Sequence, residues 1–250
     1  MPDYPGGPIL LVWTQGEDVC IDYAGWQARF TPGAGRIDLA SVDPVVDAAH
    51  VAERVWVPFY AMCSFDDVLA LHGSAVEVSG RACVILGASG AGKSTTALAC
   101  VAQGAALLSD DMVLVDVARG VVFPAAPTLR LWQPPTSHIE VVEQARISPA
   151  SDKRWYKLSG LSAQEVPLGR VLLLERSLQA SVCGDLDQLR GMEAMISLLS
   201  NAFDWEHPPS WWARARLRRA RGLLASHKVE VLRFAPDPQG RPLHVPRVIG

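Results

Sequence analysis

The residues that point most directly to chemistry are those from 87 to 94, which read GASGAGKS. They fit the pattern G-x-x-x-x-G-K-[ST], in which the backbone N–H groups of a glycine-rich loop surround the phosphates of a nucleotide. The following helix turns its positive N-terminus toward the same phosphates. Lys93 is expected to reach the β- and γ-phosphates, and Ser94 to ligate Mg²⁺. The residues predicted to contact the nucleotide are Gly87, Ala88, Ser89, Gly90, Ala91, Gly92, Lys93, Ser94 and Thr95.

A pair of carboxylates follows at a spacing that suits the same site. Asp110 lies sixteen residues after Ser94, and Asp111 comes directly after it. If the apolar run 106–108 is a strand parallel to the one before the loop, both carboxylates lie near the γ-phosphate. One would hold Mg²⁺ and the other would take the proton of an attacking hydroxyl, in either order. The alternative is a solvated turn between two strands.

The pattern around these residues predicts the elements that must position them. Residues 81–86 form a β-rich apolar run that ends at the first glycine, and residues 95–103 indicate a helix stopped by Gly104. A strand over 74–78 precedes them across a turn at Ser79-Gly80. Other strands are predicted at 112–117, 121–123, 171–174 and 229–234, and helices at 43–57, 64–71, 186–199 and 211–227. This order is typical of an α/β fold.

Two regions differ in character from this α/β pattern. Residues 8–40 alternate short apolar runs with glycine, proline and acidic residues, which predicts small antiparallel strands. We therefore place a small β-rich N-terminal lobe at 1–60 and an α/β domain at 61–250. Residues 124–168 are dense in proline, serine and charge, which predicts a long functional loop facing the substrate.

Composition limits the class of protein. At 250 residues and 49% hydrophobic content, the chain is long enough to bury a full core. Its net charge of -3 gives no global attraction to nucleic acid, so nucleic acid is not an expected partner. The five cysteines are scattered and form no C-x-x-C pair, which predicts reduced, mostly buried thiols rather than a disulfide framework or a zinc site. The longest apolar runs are too short to cross a bilayer, so we expect no membrane segment and a cytoplasmic protein.

Two further features have a structural and a functional interpretation. His72 stands just before the strand predicted beside the loop strand, but a lone histidine is more often structural than catalytic. Arg214, Arg218 and Arg221 fall on one face of the late helix. That stripe is either a solvated face or a dock for an acidic partner.

The continuous stretch 71–116 resembles the core of HPr kinase/phosphorylase and of its shorter relatives, the HPr-kinase-like serine kinases. In that family a His-Gly precedes the phosphate loop, and an Asp-Asp follows a helix that ends in Gly. The looser pieces 127–132, 152–158 and 167–176 are similar to segments of the short relatives, which include kinases that modify lasso-peptide precursors.

The resemblance implies a phosphoenolpyruvate-carboxykinase-like P-loop kinase core. It also implies transfer of the γ-phosphate of ATP, with Mg²⁺, to a serine or similar hydroxyl of a peptide or protein, lasso-peptide precursors included. By the same resemblance His72 stabilises the catalytic aspartate, and the chain forms a homo-oligomer. The implied catalytic residues are Asp110, Asp111, His72 and Lys93, the implied metal ligands Ser94, Asp110 and Asp111, and the implied substrate-side cations Arg130, Lys153 and Arg154.

The chain also departs from the family. The full-length family binds its metal through a Glu within a Glu-Ile-Arg-Gly-Leu-Gly motif, which does not occur here, and Glu140 is a weak substitute. The departure argues against the reverse phosphorylase activity and against HPr itself as the substrate. Two alternatives to a peptide or protein kinase follow: a small-molecule kinase, or a nucleotide-gated interaction protein with vestigial catalysis.

Overall fold

The computed structural model describes residues 10–23, 26–32, 34, 36–41, 59–60, 63, 67–125, 128–131, 141–148, 151–158, 164–180, 184–204 and 210–235. The chain forms two compact units. One comprises residues of 1–69 and 203–219, and the other comprises residues of 70–202 and 220–250. The division after residue 60 remains our proposal for the domain organisation. The helix predicted at 43–57 lies outside the described residues.

The first unit contains a four-stranded antiparallel meander. Its strands are β1 (Leu10–Gln15), β2 (Asp18–Tyr23), β3 (Trp26–Phe30) and β4 (Ile37–Ser41), in the order β1-β2-β3-β4. Alternate residues of β2 and β3 point inward, so that Val19, Ile21 and Phe30 are buried together with Trp212. The small antiparallel strands predicted from this part of the sequence are present.

The second unit is built on a large mixed sheet. Its strand order is β13-β14-β12-β6-β5-β7-β8. β6 (Arg81–Gly87) is central, β12 (Val166–Arg176) runs parallel to it, and β5 (Val68–Val78) is antiparallel to it. β7 (Ala106–Asp116) and β8 (Val121–Phe123) complete one side, and β14 (Val229–Phe234) and β13 (Asp185–Leu189) the other. The fold is therefore mixed α/β with a large sheet.

Three helices have both ends within the part of the chain that the structure describes. α1 (Lys93–Val101) follows β6 and buries Ala97 and Cys100 in the same apolar cluster as Ile85 of β6. α2 spans Gly191–Asn201 and α3 spans Ser210–Ser226. Within the described ranges, no helix combines the length and the apolar character needed to cross a bilayer.

A second, smaller sheet replaces part of the predicted long loop. β9 (Thr128–Leu131), β10 (Val141–Ser148) and β11 (Ser151–Leu158) form an antiparallel sheet in the order β10-β11-β9. The prediction of an irregular stretch over 124–168 was therefore wrong for these residues. The missed signal is a short period of two in β11, where Arg154 is exposed and Tyr156 and Leu158 are buried in the core cluster.

Two helix predictions were wrong in part for a shared reason. Residues 68–71, predicted within a helix, are the fully buried start of β5. Residues 186–189, also predicted as helical, pair with β14 as part of β13, and the helix begins at Gly191. Short apolar runs cannot be assigned by periodicity alone, and pairing with a neighbouring strand decides them. Residues 64–66 lie outside the described residues.

Candidate functional site

The glycine-rich loop joins the end of β6 to the start of α1. Gly87, Gly90 and Gly92 have φ angles of 147, 78 and 103°, in the region that favours glycine. Gly87 is further restricted, because a Cβ atom there would lie 2.8 Å from the backbone oxygen of Leu174. α1 starts at Lys93 with no side-chain cap and no acidic residue in its first turn. Its N-terminus is therefore suited to an anion.

Lys93 is held within the loop. Its side chain is buried, and its Nζ donates hydrogen bonds to the backbone oxygens of Gly87 at 2.8 Å and Ala88 at 3.2 Å. These bonds place the ammonium group against the inner side of the loop. A phosphate seated in the loop would meet a positive charge that is already positioned.

The start of the loop is fixed by a residue from a distant helix. The backbone N–H of Gly87 donates to Oδ1 of Asn201 at 3.1 Å, and Nδ2 of Asn201 donates to the backbone oxygen of Ser197 at 2.8 Å. Asn201 is buried at the C-terminus of α2. It thus satisfies a buried N–H that would otherwise lack an acceptor at the end of β6.

Asp110 on β7 accepts hydrogen bonds from residues of three other elements. Its Oδ1 accepts hydrogen bonds from Ser74 Oγ of β5 at 2.5 Å and from Ser94 Oγ of α1 at 2.9 Å. Its Oδ2 accepts from the backbone N–H of Arg130 on β9 at 2.9 Å. Burial raises the pKa of Asp110, and the neighbouring charge of Asp111 raises it further, against the opposing effect of these three hydrogen bonds.

Asp111 turns toward a different set of partners. Its backbone has a φ of 75°, which is rare for a residue with a side chain. Its Oδ2 lies 2.7 Å from Nη1 of Arg130, and its Oδ1 lies 3.8 Å from Nδ1 of His72. β7 continues through both aspartates to Asp116, so they lie within a strand rather than in the solvated turn that was the alternative. The positive φ explains how adjacent residues of one strand both reach this site.

His72 lies on β5, the strand between β6 and β7, at a point where β5 passes very close to β6. Gly73 pairs with Leu86, and a Cβ atom at position 73 would lie 2.6 Å from the backbone oxygen of Ile85. Only glycine permits this approach. The imidazole of His72 is half-exposed at the same edge of the sheet.

The glycine-rich loop, the two aspartates, His72 and Arg130 line a cavity of about 250 Å³. Ten of its lining residues were predicted as site residues: His72, Ser89, Gly90, Gly92, Lys93, Ser94, Thr95, Asp110, Asp111 and Arg130. Gly87, Ala88 and Ala91 belong to the loop without lining the cavity. Arg154 is exposed on β11 and is also outside the lining. The side chain of Lys153 and the whole of Glu140 lie outside the described parts of the chain.

The same segment carries the similarity to known proteins. The family model for the HPr Serine kinase C-terminal domain matches residues 64–129, which include His72, the loop and both aspartates. The chain is HPr kinase-like over this segment. The HPr kinase/phosphorylase of Treponema pallidum (strain Nichols) is 45% identical over 56 residues, which cover 22% of this chain and 18% of that protein.

Other HPr kinase/phosphorylases show the same partial coverage. That of Mycoplasmopsis pulmonis (strain UAB CTIP) is 41% identical over 68 residues, 27% of this chain and 22% of the relative. That of Clostridium botulinum (strain Eklund 17B / Type B) is 32% identical over 77 residues, 31% of this chain and 25% of the relative. The chain thus matches a quarter or less of the length of these curated relatives. The predicted family resemblance is confirmed for the HPr kinase-like segment.

Three functional candidates were missed by sequence reasoning. Ser74 lies within the HPr kinase-like segment, two residues after His72, and its period-two spacing on β5 was an available signal. Asn201 lies 114 residues from Gly87, so no local pattern connects them. Arg176 lines the cavity from the last position of β12, the strand parallel to β6. Residues after the carboxyl end of such a neighbouring strand are candidates by position alone.

The oxygen atoms at the mouth of the loop fit a divalent cation. Ser94 Oγ and a carboxylate oxygen of Asp110 lie 2.9 Å apart, and Mg²⁺ prefers such oxygen ligands. In the part of the chain that the structure describes, no group of three or more His, Cys, Asp or Glu side chains is arranged to hold a metal ion. A magnesium ion here would therefore depend on phosphate oxygens and water for its remaining ligands, as is usual for Mg²⁺.

Proposed function

We propose that this chain is a Mg-ATP-dependent kinase that transfers the γ-phosphate to a serine or similar hydroxyl of a peptide or protein. The observation that carries the proposal is the hydrogen bond between Ser94 of the glycine-rich loop and Asp110 of β7. It brings a phosphate-binding motif and a carboxylate pair into one cavity. A protein acceptor is favoured because the relatives are named as kinases of the protein HPr.

The donor side of the reaction is assigned to the loop and to α1. Backbone N–H groups of the loop and of the first turn of α1 bind the phosphates, and Lys93 neutralises part of their charge. Ser94 and Asp110 would hold Mg²⁺, which when bound draws charge from the phosphate oxygens. Asp110 suits this role because protein donors already orient both of its oxygens.

The acceptor side is assigned to Asp111. Its Oδ1 is beyond hydrogen-bond distance from His72 and lies at the cavity, where an incoming hydroxyl can reach it. As the hydroxyl oxygen bonds to the γ-phosphorus, its proton passes to Asp111, and the bond from the γ-phosphorus to ADP breaks. Arg130 holds the carboxylate through Oδ2, and the imidazole of His72 lies on the side of Oδ1. The two aspartates thereby take the two roles that the sequence left unassigned.

A transfer assay separates these roles. The chain is mixed with Mg-ATP and a panel of acceptors that includes HPr and lasso-peptide precursors, and the intact mass of each acceptor is measured. We expect one acceptor to gain a phosphate, and Asp111→Asn to reduce the rate by about 10²-fold or more while ATP still binds. Lys93→Ala should weaken ATP binding itself.

The matched control is Asp187→Asn, which removes a carboxylate on β13 outside the cavity lining. It should transfer phosphate at the rate of the unmodified chain. Transfer that survives Asp111→Asn unchanged would remove the assigned base. Absence of ATP binding by the unmodified chain would reject the kinase proposal as a whole.

A further inference from the structure

Arg176 lies at the mouth of the glycine-rich loop because its strand, β12, is the parallel neighbour of the strand that leads into the loop. β12 and β6 are parallel neighbours, with Leu174 paired to Gly87. Their carboxyl ends therefore meet at the same edge of the sheet. The backbones are in close approach there, because a Cβ atom at Gly87 would lie 2.8 Å from the oxygen of Leu174. Arg176, two residues further along β12, lines the cavity together with Lys93.

The other two cations that line the cavity are already engaged by the protein. Lys93 donates to two backbone oxygens of the loop. Arg130 forms an ion pair with Asp111. Arg176 is different, because it is exposed and forms no ion pair with any residue that the structure describes. Its charge is therefore available to a ligand.

Other arginines on the same strands show that this lack of a partner is specific to position 176. Arg170 of β12 pairs with Glu230 at 2.7 Å. Arg233 of β14 pairs with Glu175, the residue that directly precedes Arg176, at 3.0 Å. The nearest carboxylate along the chain is thus taken by a neighbouring strand. Of the two arginines that line the cavity, Arg130 is paired with Asp111, whereas Arg176 has no ion-pair partner among the described residues.

We infer that Arg176 binds the terminal phosphoryl group of ATP, the group that is transferred. This inference rests on the proposed kinase function. A guanidinium donates parallel hydrogen bonds to two phosphate oxygens, which gives geometric as well as electrostatic recognition. The loop N–H groups serve the inner phosphates, whereas the terminal phosphoryl group spreads its charge over three oxygens during transfer. Arg176 contacts those oxygens while the acceptor oxygen bonds to phosphorus, the proton passes to Asp111 and ADP leaves.

The inference predicts a selective loss of affinity for a triphosphate. Titration calorimetry with Mg²⁺ compares ADP with β,γ-imido-ATP, whose terminal phosphate is not transferred. Arg176→Gln should weaken binding of the imido analogue by about tenfold or more and leave binding of ADP within about twofold. Arg176→Lys keeps the positive charge but cannot donate two parallel hydrogen bonds. It should therefore recover part of the lost affinity for the imido analogue.

The matched control is Arg221→Gln on α3, which removes an equal charge from an exposed arginine outside the cavity lining. It should bind both nucleotides as the unmodified chain does. Thermal unfolding checks that each variant is folded, and Arg176→Lys is used if the glutamine variant is not. Equal losses for the two nucleotides, or no loss for either, overturn the role of Arg176 alone. An unmodified chain that binds neither nucleotide overturns both the inference and the kinase proposal.

Discussion

Asp110 is a residue of the candidate site whose buried carboxylate lowers the stability of the folded chain. Part of its surface faces the cavity, but its carboxyl group is surrounded by Ser74, Ser94 and the backbone of Arg130. Burial nevertheless raises its pKa, so the loss of hydration outweighs the three hydrogen bonds in the ionised form. A charge kept in such a place is typical of functional sites.

The raised pKa predicts that Asp110→Asn stabilises the chain at neutral pH. A raised folded-state pKa means that protonation favours the fold, so stability is highest below the ordinary aspartate value of about 3.9 and falls as pH rises through the folded-state pKa. The destabilising cost of the buried carboxylate therefore grows as the pH rises from acidic values through the folded-state pKa. Replacing the carboxylate with the neutral amide should raise the free energy of unfolding by about 1 kcal/mol, which corresponds to a rise in the unfolding midpoint of about 2–4 °C.

Thermal unfolding between pH 4 and pH 7 measures this effect. The gain should shrink as the pH falls, because protonation of the Asp110 carboxyl in the folded chain removes the cost of burying its charge. Asp187→Asn, on exposed β13, is the control and should show no such gain. A variant that is less stable than the unmodified chain at pH 7 would show that the hydrogen bonds of Asp110 outweigh its burial.

At the scale of elements, the β5–β6 hairpin carries His72 and Ser74 to the loop. The hairpin turns through Ser79 and Gly80, whose φ angles of 52 and 76° match a tight two-residue turn. At the other end, Gly73 permits the approach of the two strands. The two site residues flank this glycine, so the contact between the strands also determines where they stand.

We therefore expect Gly73→Ala to damage both stability and the site. The added Cβ would lie 2.6 Å from the backbone oxygen of Ile85, which cannot move without disturbing the pairing of β5 with β6. The free energy of unfolding should fall by about 2 kcal/mol or more. Gly80→Ala is the control, since its Cβ meets open space and only the left-handed backbone opposes it, at about 1 kcal/mol. Urea unfolding compares them, and equal losses would contradict a steric role for Gly73.

At the scale of the whole molecule, the net charge is negative, but positive side chains are concentrated at one cavity. The chain has a net charge of -3, yet three cations line one cavity beside two aspartates. In the proposed function, attraction for an anionic nucleotide would therefore come from this cavity rather than from the net charge of the chain. This arrangement suits a small anionic ligand better than a long polyanion.

Binding of Mg-ATP should consequently stabilise the folded chain. At a free concentration of 100 times its Kd, a ligand specific for the folded state adds about 2.7 kcal/mol, which raises the unfolding midpoint by about 5–10 °C. Differential scanning fluorimetry measures the shift. Lys93→Ala should abolish it, and adenosine, which lacks phosphates, should produce none. An equal shift with adenosine would contradict recognition through the phosphates.

The sequence by itself determined the local parts of this protein. The order of strand, glycine-rich loop and helix over residues 81–103, the turn at Ser79-Gly80 and the strand at 229–234 all depend on neighbours along the chain. Their conformations follow from glycine φ angles, turn chemistry and apolar runs, which act over a few residues. The identity of ten cavity residues followed from these motifs and from the family resemblance.

Only the tertiary structure decided which distant residues join them. Strand pairing made residues 68–71 and 186–189, which were predicted as helical, into strands. It also joined residues 128–131, 141–148 and 151–158 in a second sheet. The same pairing placed Arg176 at the loop, and the packing of α2 placed Asn201 against Gly87. These contacts join residues far apart in sequence, and they form because burying apolar strands and satisfying their backbone hydrogen bonds are properties of the assembled sheet.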